Sequence, residues 1–313
     1  MFHITPFLTN VANIHIYRKN NNITLNTISL IFSYNNFSLY NSIRSAMAKS
    51  ISKPLKIVVF DLDETLGSFI EIGIFWSSLE NYYGHNLLKE QLFEVIDLFQ
   101  EFLRPNILKI LTFIKSQKEN NICNNVMIYT NNQGPKSWVK MIGDYFNSKL
   151  DYELFDKIIS AFKVNNKIIE LCRTSHDKSF TDLIRCTKIP PNTEICFIDD
   201  QFHALMVEDN IYYINVKPYI FSIPFEEMAQ RYYDKYLKKS ETDNRDGFIQ
   251  SIVTTMRKYN FIVRPKSDIE HKTDKIISKQ LLIHLENFFK KGQSKNTRKY
   301  KSQVKNRGTR RKI

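Results

Sequence analysis

Two aspartates two residues apart, Asp61 and Asp63, close the β-prone run Lys56-Ile57-Val58-Val59-Phe60 and lead into Glu64, Thr65, Leu66 and Gly67. An apolar strand that stops at a carboxylate pair presents it at the strand's carboxyl end, where open α/β sheets hold their ligands. There one carboxylate can attack as a nucleophile and its neighbour can move protons. A turn whose aspartates only cap or solvate a loop is the plain alternative for Asp-x-Asp alone. The strand before the pair and Thr65-Leu66-Gly67 after it favour the chemical reading.

Three later segments supply matching chemistry. Tyr129-Thr130-Asn131-Asn132-Gln133-Gly134 follows another apolar run. A threonine hydroxyl and backbone N–H groups beside a glycine suit phosphate oxygens, although an ordinary polar turn has the same composition. Phe197-Ile198-Asp199-Asp200 ends a third run in a second carboxylate pair. Oxygen ligands of this kind hold hard cations such as Mg²⁺. Between them, Ser175-His176-Asp177-Lys178-Ser179 sets a lysine at an expected helix start. A cation is mildly disfavoured there, so Lys178 needs a reason: bridging a nucleophile and a phosphate is one, a solvated surface position is the other.

The elements that must position these groups alternate along the chain. Strands are expected at Lys56–Phe60, Asn125–Tyr129, Lys157–Ala161, Glu194–Ile198 and Ile211–Val216, each short and nearly continuously apolar, as in a parallel sheet buried on both faces. Helices are expected at Leu87–Phe102, Asn106–Ser116, Ser137–Phe146 and Ser179–Cys186, then at Phe225–Ser240, Gly247–Tyr259 and Asp274–Phe289. The expected class is α/β: a doubly wound, mainly parallel five-stranded sheet, with a short helical insertion at 67–103 and a helical extension at 223–289. The insertion carries Phe69, Phe75, Trp76, Tyr82 and Tyr83, suited either to an aromatic lid or to packing on the core.

Charge sits at the ends of the chain. The net formal charge is +13 over 313 residues, from 45 Lys and Arg against 32 Asp and Glu. Residues 1–46 hold three basic residues and no acid, and residues 290–313 hold eleven and no acid. The remaining 31 basic residues face all 32 acids across 47–289, a balance of −1. The basic tail 290–313 is expected to be disordered. It suits non-specific attraction to a nucleic-acid backbone, nuclear import or solubilisation equally. Residues 1–46 read as an unstructured arm, a transit peptide or a stretch upstream of a start at Met47. The four cysteines, Cys123, Cys172, Cys186 and Cys196, form no Cys-x-x-Cys pair and are expected as buried thiols. No apolar run approaches the roughly 20 residues that span a bilayer. The expectation is a soluble intracellular protein of cytoplasm or nucleus, with organelle targeting by 1–46 left open.

Asp61-Leu62-Asp63-Glu64-Thr65, Thr130, Lys178 and Asp199-Asp200, in that order, resemble the four signature motifs of the haloacid dehalogenase superfamily. The Asp-x-Asp-x-Thr form followed by Leu66 is similar to phosphatases acting on the RNA polymerase II C-terminal domain, as is Phe102-Leu103-Arg104-Pro105 ahead of a helix. The resemblance covers roughly 55–217 and implies a catalytic domain over 47–222. Gly67-Ser68-Phe69 departs from that subgroup, and Asn131-Asn132-Gln133 is closer to small-molecule and polynucleotide 3′-phosphatases. The resemblance implies Asp61 as nucleophile, Asp63 as acid and base, and Thr130 and Lys178 as holders of the phosphoryl group. It also implies Mg²⁺ on the Asp61 carboxylate, the Asp63 carbonyl and Asp199, with Asp200 completing or orienting the shell. The implied function is a Mg²⁺-dependent phosphatase acting on a phosphomonoester, a phosphoprotein or a nucleic-acid end. A polynucleotide 3′-phosphatase and a non-catalytic module binding a partner or nucleic acid are the alternatives.

Overall fold

The structure is a computed structural model that describes residues 14–17, 54–238 and 244–290. The rest of the 1–46 stretch and residues 291–313 of the basic tail lie outside the described residues.

Strands β1 (Ile14–Tyr17), β2 (Lys56–Phe60), β3 (Asn125–Tyr129), β4 (Lys157–Ile159), β7 (Glu194–Asp199) and β8 (Ile211–Val216) form one sheet in the order β1-β8-β7-β2-β3-β4. Every pairing is parallel except that of β1, which runs antiparallel along the outer edge of β8. The five parallel strands are those expected from the apolar runs. The sixth comes from the stretch expected as an unstructured arm, where Ile14-His15-Ile16-Tyr17 is too short a run to stand out from its Asn- and Ser-rich surroundings. A two-stranded hairpin, β5 (Lys163–Val164) and β6 (Lys167–Ile168), stands apart from the sheet.

The period-two geometry of a strand explains why the apolar runs are continuous. Val58, Phe60, Val126, Ile128, Cys196 and Ile198 face one layer of helices, while Ile57, Val59, Met127, Ile195 and Phe197 face the other. The first layer is built from α1 (Phe69–Tyr83), α2 (Lys89–Leu98), α3 (Ile107–Glu119), α4 (Lys136–Leu150), α6 (Phe225–Tyr232), α7 (Arg245–Arg257) and α8 (Asp268–Lys290). The second rests on α5 (Phe180–Thr187), which contributes Leu183 and Cys186. Helix α1 begins at Phe69 within the expected insertion, and its Phe69, Phe75 and Trp76 are buried. Phe75 meets Phe99 and Tyr232 edge-on at centroid distances of 5.6 and 5.7 Å. These rings pack; they form no free lid.

The cysteines need a correction. Cys172 and Cys186 are joined in a disulfide, with Cα atoms 5.0 Å apart, and only Cys123 and Cys196 are free buried thiols. Fourteen residues separate the bonded pair, a spacing that signals nothing by itself. The turn into α5 brings them together. Among the described residues no helix is long and apolar enough to cross a membrane.

Candidate active site

Strand β2 pairs with β3 on one side and β7 on the other, so the three carboxyl ends lie side by side where the strand order reverses. That switch point is the crevice in which open α/β sheets bind ligands. Asp61, Thr130 and Asp199 sit at those three ends and are all buried. The Asp61 N–H donates to the Ile198 carbonyl at 2.9 Å, so the aspartate is held against the end of β7.

The turn after β2 is tightly held. Glu64 has φ 55°, and its N–H donates to the Gly67 carbonyl at 2.7 Å. A Cβ on Gly67 would stand 2.7 Å from the Phe69 ring and 2.8 Å from the Phe102 carbonyl oxygen, so no side chain fits there. The buried guanidinium of Arg104 donates to the carbonyls of Thr65 and Glu64 at 2.5 Å each and to that of Lys217 at 2.9 Å. Thr65 closes the turn onto β7: its hydroxyl donates to Asp200 Oδ1 at 3.2 Å and accepts from the Asp200 N–H at 3.1 Å. Asn215 on β8 donates to the carbonyls of Asp199 and Asp200 at 3.1 and 3.0 Å.

Lys178 arrives from the other helix layer. Its Nζ lies 2.5 Å from Asp61 Oδ1 and 2.7 Å from Asp199 Oδ2, and the side chain is 2% exposed. The loop carrying it is braced at both ends. Arg173 donates to the carbonyls of Thr130, Ser160 and His176. Buried Asp182 accepts from the Thr174 N–H at 2.8 Å, and its own N–H donates to the Ser179 cap of α5 at 3.1 Å. Arg173 is therefore a strut for this loop, while Lys163 and Lys167 lie on the small hairpin.

No protein-family model matches this chain, and no curated protein matches it. The chemistry of the site has to be read from its own groups.

Burial raises the Asp61 carboxyl well above the usual range; Lys178 opposes this and Asp199 adds to it. Burial also presses on Asp199, but Lys178 and His203 outweigh it and leave that carboxyl below its ordinary value. Asp200 is pushed up to about 6 by burial and by the charge of Asp199. Lys178 stays charged because the two carboxylates outweigh its desolvation. Asp61, Asp199 and Asp200 can each turn one oxygen into a single region in which those oxygens lie within 4.8 Å of one another. Three carboxylates against one ammonium leave surplus negative charge, and the donors are all oxygen; this fits a hard divalent cation such as Mg²⁺.

The Asp63 carboxylate stands outside that group. Its Oδ2 accepts from Asn132 Nδ2 at 2.7 Å, and its Oδ1 is buried with no hydrogen-bond partner. Burial raises its pKa, with Asn132 partly opposing. Asp63 lines the crevice, and a carboxyl whose pKa is raised keeps a proton more readily than an ordinary aspartate, which suits it to exchange protons with a ligand. Asn132 also accepts the Gly134 N–H at 2.8 Å and donates its own N–H to the Thr130 hydroxyl at 3.0 Å. Sequence reading named Asp61, Asp63, Thr130, Lys178, Asp199 and Asp200, and the structure gathers all six at this crevice. It did not single out His203, whose Nε2 is 3.4 Å from Asp199 Oδ2, or Asn215. His203 is four residues beyond Asp199, just ahead of the 3-10 turn Ala204–Met206, and no periodicity marks it.

Proposed function

We propose that this protein is a phosphatase of the haloacid dehalogenase type, hydrolysing a phosphomonoester through an aspartyl-phosphate with the help of Mg²⁺. The observation that carries this reading is the junction of a buried Asp61–Lys178–Asp199 array with a separate, partly unpartnered Asp63 at one strand edge.

Lys178 holds Asp61 Oδ1, which leaves the other oxygen of Asp61 to attack phosphorus. As the P–O bond to the alcohol breaks, Asp63 gives its proton to the leaving oxygen. The ionised Asp63 then takes a proton from water, and that water attacks phosphorus, freeing phosphate and restoring the Asp61 carboxylate. Lys178 and the Thr130 hydroxyl would hold the phosphoryl oxygens in both steps. Mg²⁺ held by Asp61, Asp199 and Asp200 would supply neutralising charge for those oxygens. Arg104 and Thr65 would hold the turn that follows Asp63 against the end of β7, so that both carboxyls address one phosphorus.

The test is phosphate release from a generic aryl phosphate by the full chain, in Mg²⁺ and in excess chelator, beside Asp61→Asn and Asp63→Asn. The expected result is turnover that needs Mg²⁺ and disappears with Asp61→Asn. A loss of about 10²-fold or more is expected with Asp63→Asn. Turnover unchanged by Asp61→Asn would overturn the mechanism.

A further inference from the structure

The crevice does not end at the carboxylates. It continues into a cavity of about 800 Å³ between α1 on one side and the 131–135 loop with α4 on the other. This is the size range of sites that enclose a small organic ligand. Beyond the phosphoryl end its walls are mostly apolar, from Ile70 and Ile74 on α1, Trp138 and Met141 on α4, and Leu87 and Tyr259.

Trp138 belongs to the same rigid unit as the proton donor. Asn132 holds Asp63 through its amide nitrogen and Gly134 through its oxygen, and the Trp138 N–H donates to the Pro135 carbonyl at 2.9 Å. The indole is pressed onto α1 at Gly73, where an added Cβ would stand 3.3 Å from the ring. The aromatic wall therefore begins on the side of the site where the leaving oxygen must depart.

The charge of the cavity is one-sided. Glu64 and Glu80 join the four aspartates in lining it, while Lys178 is its only Lys or Arg among the described residues. Lys178 is buried and already engaged by two carboxylates. A polynucleotide end or a second phosphate brings further negative charge, and such ligands are held by Lys and Arg. Among the described residues no free cation of that kind lines these walls.

We propose, resting on the phosphatase reading above, that the substrate is a phosphomonoester whose alcohol carries an aromatic ring and no second anionic group. The ring lies along Trp138, Met141 and Ile70, and the ester oxygen faces Asp63. A phosphotyrosine side chain and a free aromatic alcohol phosphate share this chemistry.

The experiment compares kcat/KM of the full chain in Mg²⁺ for 2-phenylethyl phosphate, ethyl phosphate, phenyl phosphate, a phosphotyrosine peptide with neutral flanks and a 3′-phosphorylated oligonucleotide. The first two alcohols are similar in acidity, so their ratio reads the pocket and not the leaving group. The expected ratio is at least about ten-fold in favour of the phenylethyl ester, with the oligonucleotide poorer still. Ile70→Lys, at a half-exposed position, is expected to shrink the phenylethyl preference several-fold and to raise the oligonucleotide rate. Trp138→Ala is expected to shrink the preference as well, with its melting temperature recorded. Phenyl phosphate, an aryl ester like phosphotyrosine, is the reference for the peptide: a peptide kcat/KM above that of phenyl phosphate assigns the ring to tyrosine, and one below it assigns the ring to a small molecule. An oligonucleotide that matches or exceeds the phenylethyl ester overturns the proposal, as does a phenylethyl to ethyl ratio near one. Turnover of none of these esters removes the phosphatase reading itself, and this proposal with it.

Discussion

Lys178 Nζ lies 2.5 Å from Asp61 Oδ1, although 117 residues separate them, and both side chains are almost wholly out of solvent. The same ammonium reaches Asp199, so one cation from the loop before α5 ties the carboxyl ends of β2 and β7 together. Removing it leaves two buried carboxylates facing each other. Lys178→Met is expected to cost about 3–5 kcal/mol at pH 8 in chelator, the cost of breaking a buried ion pair. The loss shrinks toward pH 5, because carboxyls that lose their cation bind protons more readily in the folded state than in the unfolded one. Denaturant titrations at the two pH values check this, and an equal loss at both would contradict it.

Asn132 donates to Asp63 and so favours its ionised form. Asn132→Leu takes that donor away, and the Asp63 pKa rises further. In the proposed mechanism Asp63 carries a proton when the leaving oxygen departs, so the basic limb of the kcat profile moves to higher pH. The expected displacement is about one unit, the size of a hydrogen bond to a charged group. Uniformly lower activity with unmoved limbs would assign Asn132 to loop support alone.

Arg104 braces the turn that follows Asp63 through the carbonyls of Glu64 and Thr65, and ties it to the Lys217 carbonyl. The Glu64 carbonyl retains the Tyr219 N–H at 2.8 Å if Arg104 is lost, but those of Thr65 and Lys217 do not gain a donor. Arg104→Met is expected to cost on the order of 3 kcal/mol in stability, from buried acceptors left without donors. It should also lower kcat by more than ten-fold with little change in KM, since the ligand does not touch Arg104. Proportional changes in both constants would argue that substrate binding itself is disturbed.

Glu71, on α1, is fully buried; its Oε2 accepts only from the Ile223 N–H at 3.3 Å, and its Oε1 has no partner. Burial pushes its pKa from 4.5 to about 8. A folded-state pKa raised in this way gives stability that is whole below pH 4.5 and is lost as pH rises through about 8. The slope in that window is about 1.4 kcal/mol per pH unit. Glu71→Gln removes this slope and makes the protein more stable than the parent at pH 8 and above. Thermal melts from pH 5 to 9 read it directly; parallel curves for the two proteins would refute it.

The legible part of this protein was local. Five apolar runs announced five parallel strands, because a strand buried on both faces needs no polar residue until it ends. Asp61, Thr130 and Asp199 could be named because each stands where such a run stops. Helix α1 was harder to see, since Phe69, Phe75 and Trp76 fit a lid as well as a core; in the fold all three are buried, Phe69 against Phe146 and Phe75 against Phe99 and Tyr232. Strand β1 offered only four alternating residues, and its partner lies some two hundred residues away at the edge of β8.

By itself, then, the sequence determined the alternation of strands and helices and the chemical types at the strand ends, since both follow from period and composition. Only the tertiary structure decided that Lys178 reaches Asp61 and Asp199, that Asn132 donates to Asp63, that Cys172 meets Cys186, and that Trp138 lines the crevice. Those relations depend on how loops from different strands converge over a twisted sheet, and distances of that kind are not written in local spacing.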